Sequence, residues 1–268
     1  MKEKAKKTNF TGVFSWAVIP TALVVAIAVF NLVMGDGSHF MGGSNANAPI
    51  PGDFFGTIYK GGFIVPVLMT LLLTVITFSI ERFFAIGKAS GKGSNADFLA
   101  NIKALIAKEQ LAEAIAICDK QSGSVANVAK SAIENYGLLK KDDALTKEQK
   151  IVALQKEIEE VTALELPALE QNLVVISTIS TIATLLGLLG TVLGMIRAFA
   201  AMANAGAPDS TALATGISEA LINTAFGIGT AALAIIVYNY FTTRIDKLTF
   251  SIDEVGFTIS QSYAANNK

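Results

Sequence analysis

The sequence predicts an all-α polytopic membrane protein with four membrane-spanning helices. Three observations predict it. Hydrophobic residues make up 52% of the 268-residue chain and charged residues only 16%, with a mean hydropathy of +0.51, too apolar and too poor in charge for an ordinary soluble domain. Four stretches stay apolar over the roughly 20 residues that a bilayer requires. Lysine and arginine alternate between rich and poor along the connections, the pattern of a chain that crosses a membrane repeatedly with its positive segments inside.

The N-terminal tail, 1–13, carries Lys2, Lys4, Lys6 and Lys7. The first span, 14–34, follows this basic head as a signal peptide does. Its apolar run exceeds the usual roughly 7–15 residues and no clear A-x-A site follows, so it reads as a retained helix. Loop 35–61 has a single cation, Lys60, and is rich in Gly, Asn and Pro. It reads as irregular structure on the outer side, with His39 an ordinary loop residue. The second span is 62–81.

Segment 82–171 holds Arg82 and eleven lysines and is assigned to the cytoplasm. Its apolar residues, Phe98, Ile102, Leu105, Ile106, Leu111 and Ile115 among them, fall at mostly helical spacings. QSGS at 121–124 breaks the pattern, a polar connection follows at 140–149, and a long amphipathic helix leads to the membrane. Pro167 either kinks that helix or starts a new one. Cys118, alone in a helical apolar pattern, reads as a buried structural thiol.

The third span is 172–200, the second outer loop 201–211 and the fourth span 212–241. A cytoplasmic tail, 242–268, contains Arg244, Lys247 and Lys268. Both termini are therefore expected inside, with helices two, three and four extending inward as a bundle.

Composition also excludes function classes. A net charge of −1 gives no footprint for nucleic acid. One cysteine and one histidine allow neither an intrachain disulfide nor a histidine-based metal cluster. GKASGKGSN at 87–95 lacks the G-x4-G-K-[ST] spacing of a phosphate loop and follows a membrane helix, so it reads as a juxtamembrane linker. NFT at 9–11 matches a glycosylation acceptor but lies on the side assigned to the cytoplasm. No nucleophile elbow, zinc signature or paired catalytic carboxylates are present. The expectation is a non-enzyme without metal or cofactor.

Chemistry concentrates in the last two spans. In the third, Ser177, Thr184 and Thr191 recur every seven residues and stay close to one helical face, drifting by about 20° per step. Gly187, Gly190 and Gly194 are small residues at i+3 and i+4 spacing, which lets helices approach closely in lipid. In the fourth, Glu219 is the one ionisable residue clearly inside a span, with Arg197 at the end of the third. A buried charge is costly in a bilayer. Glu219 lies eight residues in from Thr211, about 12 Å along the axis, and must face a pore or a helix interface. Glu219, Asn223 and Thr230 share one face, whereas Thr224 shares a stripe with Gly216, Ala220, Gly227 and Ala231. One helical hairpin is too narrow to enclose a pore, so an oligomer or a partner helix has to complete it.

LELPALEQNLVVISTISTIATLLGLLGTVLGMIRAFAAM at 164–202 and GISEALINTAFGIGTAALAIIVYNY at 216–240 resemble the MotA/TolQ/ExbB proton-channel family, ExbB most of all. The resemblance covers roughly 60–245 and includes ERFFAI at 81–86 and EAIAICDKQSGSVANVAKSAIE at 113–134. It implies a three-helix ExbB-like core, preceded here by an extra N-terminal helix. It implies a pentamer in the bacterial inner membrane around an ExbD-like partner with an essential membrane aspartate. It also implies proton-driven motion passed to a TonB-like protein that energises outer-membrane transport. Thr191, Glu219 and Thr224 match the channel residues, and Thr184 and Asn223 join them as candidate proton-path residues. Gly187, Gly190, Gly194, Gly216 and Gly227 are candidate packing positions. Two departures stand out: Thr184 and Leu233 occupy positions where the family often has proline. Glu219 is either proton-carrying or a structural link between subunits. A TolQ-like, MotA-like or gliding-type output, a membrane scaffold without conduction, and a solute transporter are the rival readings.

Overall fold

The computed structural model describes residues 5–204 and 210–266. Among them the chain is helical, without a β-strand: α1 (Ala5–Ala28, continued by a π-helical turn at Val29–Met34), α2 (Phe54–Tyr59), α3 (Ile64–Ala89), α4 (Asn95–Ala107), α5 (Leu111–Gln121), α6 (Gly123–Lys140), α7 (Lys147–Glu170), α8 (Leu173–Asn204) and α9 (Ser210–Asn266). Four helical stretches are long and apolar enough to cross a membrane: Ala17–Met34, Ile64–Ala89, one within Lys147–Ala203 and one within Leu213–Asn266. The fold class expected from the sequence is therefore the one observed.

The described residues form two compact units. The first holds the chain up to Ile80 together with Asn172–Tyr238. Its outer helix face is apolar and exposed, as Val24, Leu32, Val174, Leu221 and Ile236 illustrate. Apolar residues all round a helix are what a lipid environment selects. Inside, Ala26, Phe30 and Met34 pack against Ile58, Val65 and Met69.

Loop 35–61 is more ordered than its composition suggests. Asp53 caps α2 by accepting from the Gly56 amide at 2.7 Å, and His39 Nδ1 lies 2.9 Å from the same carboxylate. The Gly56 amide, then His39, holds the Asp53 carboxyl below its ordinary pKa. Phe30 stacks on Tyr59 with ring centroids 4.6 Å apart, and Lys60 Nζ donates to the Asn45 carbonyl at 2.9 Å. Glycine and proline are counted as breakers by local propensity, yet here they shape turns that tertiary contacts then fix.

The second unit holds Glu81–Gln171 and Asn239–Lys268. Ser94 caps α4. Thr146 and Gln149 form a reciprocal capping box at the start of α7. The QSGS break is a turn at Ser122 and Gly123, both with positive φ. Pro167 does not divide α7. It lies within the helix, which stops at Glu170, and Asn172 takes a positive φ of 65° before α8; asparagine tolerates that geometry better than most residues. Arg82 is buried and donates to the carbonyls of Ala168 at 3.2 Å and Leu169 at 3.3 Å. It satisfies acceptors that the end of α7 would otherwise leave unpaired. Cys118 is buried, and burial pushes its thiol pKa up to about 12.

Several expected boundaries shift. The segment read as a C-terminal tail is helical to Asn266, because Ile252, Val255, Ile259 and Tyr263 bury one face in this unit. Its end is tied down: Asn266 Nδ2 donates to the Ile106 carbonyl at 3.1 Å, and Tyr136 meets Tyr263 edge-on. The N-terminal tail is helical from Ala5; residues 1–4 lie outside the described part. The second span begins at Ile64, after Gly62 with its φ of 75°. Most of the loop expected at 201–211 is taken up by α8 and α9, and 205–209 lie outside the described residues.

Candidate functional site

α8 and α9 cross as an antiparallel hairpin whose contacts are made by small residues. A Cβ built on Gly187 would sit 3.1 Å from the Asn223 carbonyl oxygen, and one on Gly227 would sit 2.8 Å from Gly187 Cα. One on Gly194 would meet Ala220 at 2.9 Å, and one on Gly216 would meet Ala198 at 2.7 Å. Gly190 leaves room for the Asn223 side chain. At Gly194, Gly216 and Gly227 an added methyl group would come within 3.0 Å of the facing helix, and these small residues bring the two backbones together as they do in lipid.

That approach places two hydroxyls in contact. Thr191 Oγ1 and Thr224 Oγ1 are hydrogen-bonded to each other across the crossing. Both also reach the Gly187 carbonyl, Thr224 at 3.2 Å and Thr191 at 3.3 Å. Each hydroxyl can donate and accept, so the pair and its carbonyl form a short polar bridge without a charge. Both threonines are half-buried in this chain, so the bridge keeps contact with the surface.

A second cluster lies about 7 Å toward the helix tips, five residues along α9. Arg197 donates to the Glu219 carboxylate, and the Arg197 guanidinium sits 5.6 Å over the Phe63 ring. Gly62 lies against the same carboxylate, where a Cβ would collide with Glu219 Oε1. Asn223 Nδ2 donates to the Gly61 carbonyl at 2.9 Å. Glu219 and Asn223 are buried within the chain. They tie α8 and α9 to the segment that opens α3.

The candidate path residues therefore divide. Thr191 and Thr224 come together, and Glu219 and Asn223 form a separate cluster on the inside of the first unit. Thr184 joins neither: its hydroxyl donates to the Ser180 carbonyl at 3.1 Å. Leu233 leaves α9 unbroken. Sequence reasoning missed Gly61 and Gly62, the second of which takes a positive φ next to a span, and it left Arg197 at an edge without a partner. A signal for that pair existed. Antiparallel pairing sets 197 opposite 219 and 191 opposite 224, and both pairs share nearly the same sequence midpoint.

All of α8 and α9 as far as residue 254 lie inside a stretch, residues 121–254, that matches the family model described as the MotA/TolQ/ExbB proton channel family. The chain belongs to that family. Relatives of this family member include the Tol-Pal system protein TolQ of Pseudomonas aeruginosa, 28% identical over 130 residues, which cover 48% of this chain and 56% of the relative. The Tol-Pal system protein TolQ of Haemophilus influenzae is 34% identical over 84 residues, 31% of this chain and 37% of the relative. The family member thus spans about half, or less, of the length of these curated relatives. Its family is one of proton channels, and α1 to α4, with all but the last residue of α5, precede the stretch that the family model covers.

Proposed function

We propose that this chain is the proton-path subunit of an inner-membrane stator that couples the proton motive force to work at the cell envelope. The observation that carries the reading is the Thr191–Thr224 hydroxyl pair on the Gly187 carbonyl. A neutral pair of hydroxyls can pass a proton along hydrogen bonds without holding a charge in the membrane. One hairpin cannot enclose a pore, so the chain assembles as a homo-oligomer, a pentamer in the arrangement the resemblance implies. It surrounds a partner helix whose membrane aspartate carries the proton. Both termini face the cytoplasm, as the lysine-rich and lysine-poor connections support.

Glu219 has a positioning role in this reading. Its carboxylate is engaged by Arg197 and enclosed by Gly62, so it fixes the hairpin against the start of α3 while the threonines face the path.

The output is of Tol type. Two relatives carry the name Tol-Pal system protein, which supports envelope maintenance ahead of the TonB-linked transport that the resemblance to ExbB suggested. Expression of the chain with the product of its neighbouring partner gene, in one strain lacking TolQ and another lacking ExbB, tests this. Restored detergent resistance in the first strain supports the Tol-type output. Restored TonB-dependent uptake in the second, without the first effect, contradicts it.

A further inference from the structure

Two spans end at aromatic residues followed by a cation. Counted from Ile64, where α3 begins, the roughly 20 residues that a bilayer requires end at Phe83. On α9 the apolar run reaches Phe241, and Arg244 is the first cation of that helix. Phe83, Phe84 and Tyr240 are exposed at these levels, as aromatic residues are where a span meets the lipid headgroups.

Between the two helices lies a cavity of about 280 Å³, contained within the second unit. Phe83, Gly87 and Ser90 line it from α3, and Tyr240, Phe241 and Arg244 from α9. Gly87 leaves it open, since a Cβ there would have no facing atom within 4 Å.

The polar groups of the wall suit an anion. The Arg244 guanidinium lies 5.4 Å over the Tyr240 ring, and its Nη2 donates to the Tyr240 hydroxyl at 3.3 Å. The phenol therefore accepts from the arginine and keeps its own proton to donate, while the guanidinium keeps further N–H groups. Among the described residues no carboxylate pairs with Arg244. Glu81 is engaged by Arg82, and Asp246 lies about 200° round α9 from Arg244. Lys88 and Lys247 are exposed and add positive charge on either helix. Ser90 donates to the Ile86 carbonyl at 2.9 Å, so the donors open to a ligand are those of α9.

We propose that this cavity binds an anionic phospholipid, its phosphate on Arg244 and Tyr240 and the start of an acyl chain against Phe83 and Phe241. Basic pockets between membrane helices at headgroup level are suited to lipid phosphates. The apolar walls and the aromatic rim match a glycerol and acyl chain, which a free anion lacks. The inference requires that the two spans end here and does not depend on proton conduction.

Titration of the full-length chain in detergent with dioctanoyl-phosphatidylglycerol, read by native mass spectrometry, tests it. The lipid is expected to bind, dioctanoyl-phosphatidylcholine to bind at least about fivefold more weakly, and an excess of inorganic phosphate to leave the lipid in place. Arg244→Gln is expected to weaken binding about tenfold or more, through the loss of charge-assisted hydrogen bonds. Gly87→Leu fills the cavity without touching Arg244 and is expected to weaken binding with an unchanged melting temperature. Undiminished binding to R244Q or G87L, equal binding of the two lipids, or displacement by inorganic phosphate overturns the proposal. A change of oligomer size with either substitution also overturns it, because the cavity then belongs to a contact with a second copy of the chain.

Discussion

Thr191 and Thr224, 33 residues apart, share one carbonyl: both hydroxyls lie within reach of Gly187, so that one donates to it while the other donates to its partner hydroxyl. The contact exists because Gly187 and Gly227 let two helix backbones meet at that level. Side-chain chemistry and backbone packing are therefore one feature, and a change in either disturbs the other.

Enlarging the crossing should separate the threonines. Gly227→Ala places a methyl group 2.6 Å from the Ala183 oxygen and 2.8 Å from Gly187 Cα. Both are backbone atoms that cannot swing aside, so overpacking is expected to cost about 1–3 kcal/mol. Thermal unfolding in lipid reads the cost. Unchanged stability would show that the hairpin is looser than described.

The Arg197–Glu219 pair should be coupled energetically. Arg197 is about half exposed and Glu219 mostly buried, so the penalty for losing the arginine is discounted from that of a fully buried pair to about 1–3 kcal/mol. Arg197→Gln leaves the carboxylate without its cation, and adding Glu219→Gln should restore part of the loss. A double-mutant cycle is expected to give an interaction of at least 0.5 kcal/mol, about half a kilocalorie being the smallest resolvable value. Strict additivity would mean that the pair contributes nothing.

Gly62 should tolerate no side chain. Its φ is 75° and its Cβ position is taken by the Glu219 carboxylate. Gly62→Ala is expected to destabilise the chain, and pairing it with Glu219→Ala should relieve the collision while leaving the strain of the positive φ. Unfolding of the single and double variants checks both parts.

Cys118 should be inert in the folded protein. A thiol pKa pushed up to about 12 by burial leaves almost no thiolate at neutral pH, and thiolate is the reactive form. A maleimide at pH 7.5 is expected to label the unfolded chain at least tenfold faster than the native one, a conservative bound on protection by burial. Equal rates would place Cys118 at an open surface.

Much of this was legible in the sequence, and the misses share a cause. The four spans follow from local hydropathy, and the glycine spacings marked small packing positions, of which Gly187, Gly190 and Gly194 lie against α9. The bond between Thr191 and Thr224 was not legible from either helix alone, since their wheel positions say nothing about which neighbour they meet. Hairpin register supplies that, and it also supplies the partner of Glu219. Loop 35–61 was misread because its order comes from Asp53 and His39, 14 residues apart, and from Tyr59 stacked on Phe30. Helix four was expected to extend inward, yet 242–268 was still bounded as a tail; Ile252, Ile259 and Tyr263 hold the signal that carries the helix to Asn266.

We propose that the Thr191–Thr224 pair forms part of the proton path. Proton flux into liposomes containing this chain and its partner subunit tests it most directly. Thr191→Val and Thr224→Val are each expected to cut flux tenfold or more, about 1.4 kcal/mol in the barrier, with the complex still assembled. Thr224→Ser, which keeps the hydroxyl, should retain most of the flux. Undiminished flux through an assembled complex carrying both valines would contradict the account.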